Sequence, residues 1–163
     1  MAIHGISPIR FETVSAVTAT PSVELGTRVT DTGIDYVYCY NAGAASITQG
    51  KMGRISSGNS GYSVSVTNAA SQAGGEFVVG VAHNAAIAAG SYGWLATRGA
   101  VLGAVDASEV SMNVGDIAVA GVDGGFVVKV GTSATGVPLG FVLNSFVTTV
   151  GTGKLMFKSP LFG

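Results

Sequence analysis

Residues 83–105, HNAAIAAGSYGWLATRGAVLGAV, form an apolar run whose single charge is Arg98. Gly90, Gly93, Gly99 and Gly103 interrupt it. Each glycine inside a helix costs about 1 kcal/mol relative to alanine, so four of them argue strongly against a helix. A bilayer span is the other way to house such a run, and residues 77–97 carry no Asp, Glu, Lys or Arg. That window also holds Gly80, His83, Asn84, Gly90, Ser91 and Gly93, and much of its hydropathy is alanine. The other uncharged stretches, 55–75 and 130–153, are rich in Ser, Thr and Gly. No transmembrane helix is expected. The first residues, MAIHGISPIRFE, lack a basic segment followed by an apolar one, so no signal peptide is expected, which also counts against an outer-membrane barrel.

What remains is strand. IDYVYCYN (34–41) alternates, with Tyr36, Tyr38 and Tyr40 on one face and Val37 and Cys39 on the other. GYSVSVTN (61–68) alternates Tyr62, Val64 and Val66 against Ser63, Ser65 and Thr67. EFVVGVAH, YGWLATRGAVLGAV, DIAVAGV, GGFVVKVG and LGFVLNSFVTTV add further β-branched or aromatic runs. Turn chemistry separates them: Asp31-Thr-Gly, Ser57-Gly-Asn-Ser-Gly, Ala73-Gly-Gly and Asp123-Gly-Gly. The last predicts a hairpin between 117–122 and 126–130. Only 67–73 has the look of a helical turn. The fold class is all-β: a small single-domain β-barrel, β-sandwich or β-tulip over 26–158. An extended N-terminal arm over 1–25, with Pro8 and Pro21, precedes it, and an apolar tail over 159–163 follows.

One local pattern recurs. Ile47-Thr-Gln-Gly50, Ile87-Ala-Ala-Gly90 and Met112-Asn-Val-Gly115 each set an apolar residue three before a glycine and lead into a strand. The reading is a repeated turn whose apolar residue plugs the barrel end and whose glycine takes positive φ.

Chemistry is sparse. His4 and His83 have no Cys, Asp or Glu at ligand or triad spacing, and the lone Cys39 excludes an internal disulfide. VGTGKL (150–155) looks like a phosphate loop, but Thr148 and Leu155 stand where the motif needs Gly and Ser or Thr. Asp31 with Asp35, and Asp106 with Glu109, lack the dense oxygen spacing of a calcium loop. No catalytic residue, metal site or cofactor is expected, and the chain reads as a non-enzyme. With 8 basic and 9 acidic residues spread thinly, there is no basic patch for nucleic acid.

Charged residues make up 10% of the chain, against about 25% in typical soluble domains, and mean hydropathy is +0.50. Burying an unpaired charge is expensive, so a charge-poor surface suits a protein that buries much of itself against neighbours. The candidate interface residues are Ile3, Ile6, Ile9 and Phe11 in the arm, Trp94 and Arg98 in the apolar run, and Leu161 and Phe162 at the tail. The tyrosines of 36–40 fit either a stripe under a neighbouring chain or a sugar-stacking platform.

Three stretches carry a resemblance: ELGTRVTDTGIDYVYCYNAGAASITQGKMGRI, VVGVAHNAAIAAGSYGWLATRGAVLGAV and ATGVPLGFVLNSF. Together, over residues 24–150, they resemble tailed-bacteriophage capsid decoration (cement) and related head structural proteins. The resemblance implies an all-β protein without enzymatic activity, located on the virion surface. It also implies the major capsid protein as partner and a homo-oligomer, with a trimer favoured. The alternatives are a phage tail or fibre subunit, a surface adhesin, and a carbohydrate-binding module. A fibre should show longer repeats or heptads, and a sugar module more Asp, Asn or Arg beside its aromatics.

Overall fold

A computed structural model of the chain describes residues 14–55, 62–66, 78–105, 111–121, 125–128, 137–144, 146–147 and 152–161. Among them there are strands and turns and no helix, hence no helix long and apolar enough to cross a membrane. The strands are β1 (Arg28–Asp31), β2 (Ile34–Asn41), β3 (Met52–Ile55), β4 (Ser63–Val66), β5 (Val78–Val81) and β6 (Tyr92–Ala104). They continue with β7 (Ser111–Met112), β8 (Ile117–Ala120), β9 (Phe126–Val128), β10 (Gly140–Val142), β11 (Phe146–Val147) and β12 (Thr152–Lys158).

Five of them close a barrel in the order β2-β4-β3-β5-β6, with β6 returning to β2. All its contacts are antiparallel except β2–β4. β6 is thirteen residues long and serves two structures. Its first half pairs with β2 from Tyr92 to Arg98, and its second half pairs with β12 from Arg98 to Ala104. Between them the β2–β6 register shifts, leaving Thr97 without an opposite residue, and the Thr97 hydroxyl donates to Asp35 O at 3.1 Å. Such a bulge bends a strand, which lets β6 leave the barrel and carry an outer sheet in the order β6-β12-β10-β8-β9.

Two cores follow from this arrangement. Val37, Cys39, Ile47, Val64, Val79, Ala82, Ile87 and Leu95 form one cluster. Tyr36, Tyr38, Trp94, Val101, Phe126, Leu155 and Phe157 belong to the other. The two faces of β2 feed different clusters, so Tyr36 and Tyr38 on one face and Val37 and Cys39 on the other are all core.

The recurring turn takes the expected form. Lys51, Ser91 and Asp116 donate backbone N–H to Thr48, Ala88 and Asn113 at 3.0, 3.1 and 3.0 Å. Gly50, Gly90 and Gly115 have φ of 84°, 71° and 90°, and Ile47, Ile87 and Met112 are buried. A fourth copy stands at Val23-Glu-Leu-Gly26, where Thr27 N–H reaches Glu24 O at 3.1 Å. Each following strand starts two residues after the glycine.

Two copies face one another. Ile47 and Ile87 exchange both backbone hydrogen bonds at 2.9 Å. Around them Asn41 bonds Ser91 and Gly90 as Ala82 bonds Lys51 and Gly50. ITQGKMG (47–53) and IAAGSYG (87–93) are thus related as two halves of the barrel. The close approach explains their last glycines. A Cβ on Gly93 would lie 2.8 Å from the Ile87 side chain, and one on Gly53 would lie 2.7 Å from Leu95.

The sequence reading differs at several elements. LGFVLNSFVTTV is two strands, β10 and β11, and β11 leaves the outer sheet to pair with β7. TGKLMFK, not singled out as a strand, is β12, held between β6 and β10 in the outer sheet. The described part of the expected arm, 14–25, lies on its own barrel: Thr18 pairs with Tyr92, and Val14 and Val23 pack on the core. The expected helical turn at 67–73, and residues 1–13 of the arm, fall outside the described residues.

Candidate functional site

The reactive side chains are used structurally. Cys39 is buried, and burial pushes its thiol far up. His83 Nδ1 accepts the Leu102 backbone N–H at 2.8 Å. Burial, and then the charge of Lys154, hold the His83 pKa below its ordinary value. Asp35 accepts the Thr30 hydroxyl at 2.7 Å. Among the described residues no three His, Cys, Asp or Glu cluster as metal ligands, and Asp106 and Glu109 are not among those described.

The tyrosines are not a platform. Tyr36 and Tyr38 are 2% and 1% exposed, so neither stacks a sugar nor lies under a neighbouring chain. The chain covers them itself. The Tyr38 hydroxyl sits 3.2 Å from the Thr18 hydroxyl, and Ser22 donates to it from N at 3.2 Å and from Oγ at 3.1 Å. Asn84 Nδ2 donates to the Tyr36 hydroxyl at 3.2 Å. Tyr40 is half-buried against Tyr92, with ring centroids 4.8 Å apart.

The surface that stands out is the outer face of β6, β12, β10 and β8. β12 alternates strictly: Leu155 and Phe157 point into the core, while Lys154, Met156 and Lys158 point outward. The register sets Ile117 opposite Phe141, Phe141 opposite Met156, and Met156 opposite Ala100. The result is one apolar row across four strands. Ile117, Phe141 and Met156 are 47%, 47% and 38% exposed, well beyond ordinary strand residues facing a core. Their row borders a groove of about 700 Å³ that also takes in Pro138 and Pro160.

Of the residues singled out from sequence, Arg98 is exposed on this same face, opposite Lys158, and Leu161 follows Pro160 at 39% exposure. Trp94 is not an interface residue: it is 4% exposed in its own core, 5.0 Å from the Tyr38 ring. Ile3, Ile6, Ile9, Phe11 and Phe162 lie outside the described residues. Sequence reasoning missed Ile117, Phe141 and Met156. Alternation in TGKLMFK was the available signal for Met156; the alignment of all three needs the register.

No family model matches the chain, and no curated protein matches it in sequence. Among solved structures it is similar to the head fiber gp8.5 N base of bacteriophage phi29. The TM-score is 0.53 at 15% identity, over 76% of this chain and 95% of that one. At that identity the likeness is one of fold.

Proposed function

We propose that this chain is a structural protein of a tailed-phage head, a decoration protein that binds the outside of the assembled shell and stabilises the lattice of major capsid protein. The observation that carries the reading is the fold likeness to a phage head fiber base, which extends over nearly all of that base. The charge-poor composition and the exposed apolar row support it, since both suit a protein that works by burial against a neighbour. In this reading the protein is not an enzyme, needs no metal or cofactor, touches neither nucleic acid nor membrane, and acts as a homo-oligomer, a trimer.

Contacts present only in the finished lattice stabilise it by mass action. Stripping the protein from heads lowers their thermal rupture threshold, and adding it back restores the threshold. Heads that rupture at one temperature with and without the protein contradict the cement role. The neighbour's identity as a fiber base favours a second reading, a base that anchors an appendage. In that case heads without the protein lose appended fibres at an unchanged rupture threshold.

A further inference from the structure

We infer that the outer face of β6, β12, β10 and β8 docks onto an acidic protein surface that offers an apolar side chain between carboxylates. This rests on the head-protein reading and names the chemistry of the partner. The apolar row Ile117–Phe141–Met156–Ala100 does not stand alone. On β12 it is flanked by exposed Lys154 on one side and exposed Lys158 on the other, and Arg98 stands opposite Lys158 on β6. Three of the eight basic residues of a chain with net charge −1 therefore share this face. Asp35 stands opposite Arg98 on β2, and its carboxylate accepts the Thr30 hydroxyl at 2.7 Å. The nearest carboxylate in sequence to the row, Asp116, is engaged, accepting the Asn113 N–H at 2.6 Å to close its turn.

The charge pattern selects the occupant. A second copy meeting this face with its own through a twofold axis would set Lys154, Lys158 and Arg98 against the same three cations, and a head-to-tail contact within a trimer is the outcome that the Phe141→Ser self-association test below reads. A nucleic acid would use the cations and leave Ile117, Phe141 and Met156 without apolar partners. An acidic surface with an apolar centre satisfies both features: the apolar row supplies contact area, and the cations orient the approach.

The test uses the full chain in two arms. In the first, wild type, Phe141→Ser and the triple variant Arg98→Glu/Lys154→Glu/Lys158→Glu are sedimented with emptied phage heads at low salt. Each variant should lose at least tenfold in binding while keeping the β-rich circular dichroism of wild type. Equal binding of folded variants overturns the proposed face and leaves the head-protein reading standing. The second arm needs no heads: the amide signals of the protein are followed by NMR with the peptides Glu-Glu-Leu-Glu-Glu and Lys-Lys-Leu-Lys-Lys. The acidic peptide should shift residues around 117, 141 and 156, and the basic one should not. An equal response to both peptides, no response, a stronger response to an oligonucleotide, or self-association abolished by Phe141→Ser overturns the proposal.

Discussion

Trp94 and His83 both serve the fold. A single Trp in an apolar run fits either a core or an interface; its ring packs against Tyr38 inside the chain, and among the described residues its Nε1 has no hydrogen-bond partner. Trp94→Ala should therefore cost about 3–5 kcal/mol in chemical unfolding, the usual range for emptying a core aromatic site. Trp94→Phe should cost markedly less, because the lost N–H bonds nothing. Iodide should barely quench Trp94 fluorescence in the free protein; free quenching would contradict its burial. His83 is likewise a structural acceptor. Its pKa is lowered in the fold, so the unfolded chain binds the proton more readily than the native one. The stability it supports is fully present above about pH 6.5, the unfolded value, and is lost as pH falls through the lower folded value. Thermal denaturation between pH 7.5 and pH 5 should show a smaller drop in Tm for His83→Gln, whose side-chain oxygen can accept the Leu102 N–H without titrating. Equal drops would mean that His83 titrates alike in the folded and the unfolded chain.

At the scale of elements, local grammar was legible and non-local closure was not. Alternation in IDYVYCYN identifies β2, the β-branched and aromatic run YGWLATRGAVLGAV identifies β6, and the Asp123-Gly-Gly turn identifies the β8–β9 hairpin, whose register runs from Ala118↔Val128 to Ala120↔Phe126. The apolar-x-x-glycine turn could be read because positive φ at the glycine and burial of the apolar residue are local demands. Nothing local says that β2 returns to β6, or that its two faces serve separate cores. The tyrosine stripe was misassigned for that reason. β12 was missed because KSPLFG draws attention to a tail, while Gly153, Leu155 and Phe157 form a modest inward set. Its alternation makes a sharp contrast. Leu155→Ala should cost about 2–5 kcal/mol, as a buried aliphatic does, and the adjacent Met156→Ala should stay within about 0.5 kcal/mol. Comparable losses in urea titrations of the two would mean that Met156 is packed and the outward face of β12 is misplaced.

Taken whole, the molecule divides its work between a barrel built from two facing copies of one turn-and-strand unit and a sheet that hangs from the far half of β6. The barrel fills itself mostly with aliphatic side chains. The sheet buries one face on the core and presents the other as an apolar row among cations. That division suits a part whose task is attachment. The central claim, that this chain is a head structural protein seated on an assembled shell, is met most directly by titrating the full chain onto emptied heads and counting bound copies by co-sedimentation. Binding should saturate at a fixed ratio to the major capsid protein, with unassembled capsid subunits failing to compete. Absence of co-sedimentation, or binding that rises without saturating, would contradict it.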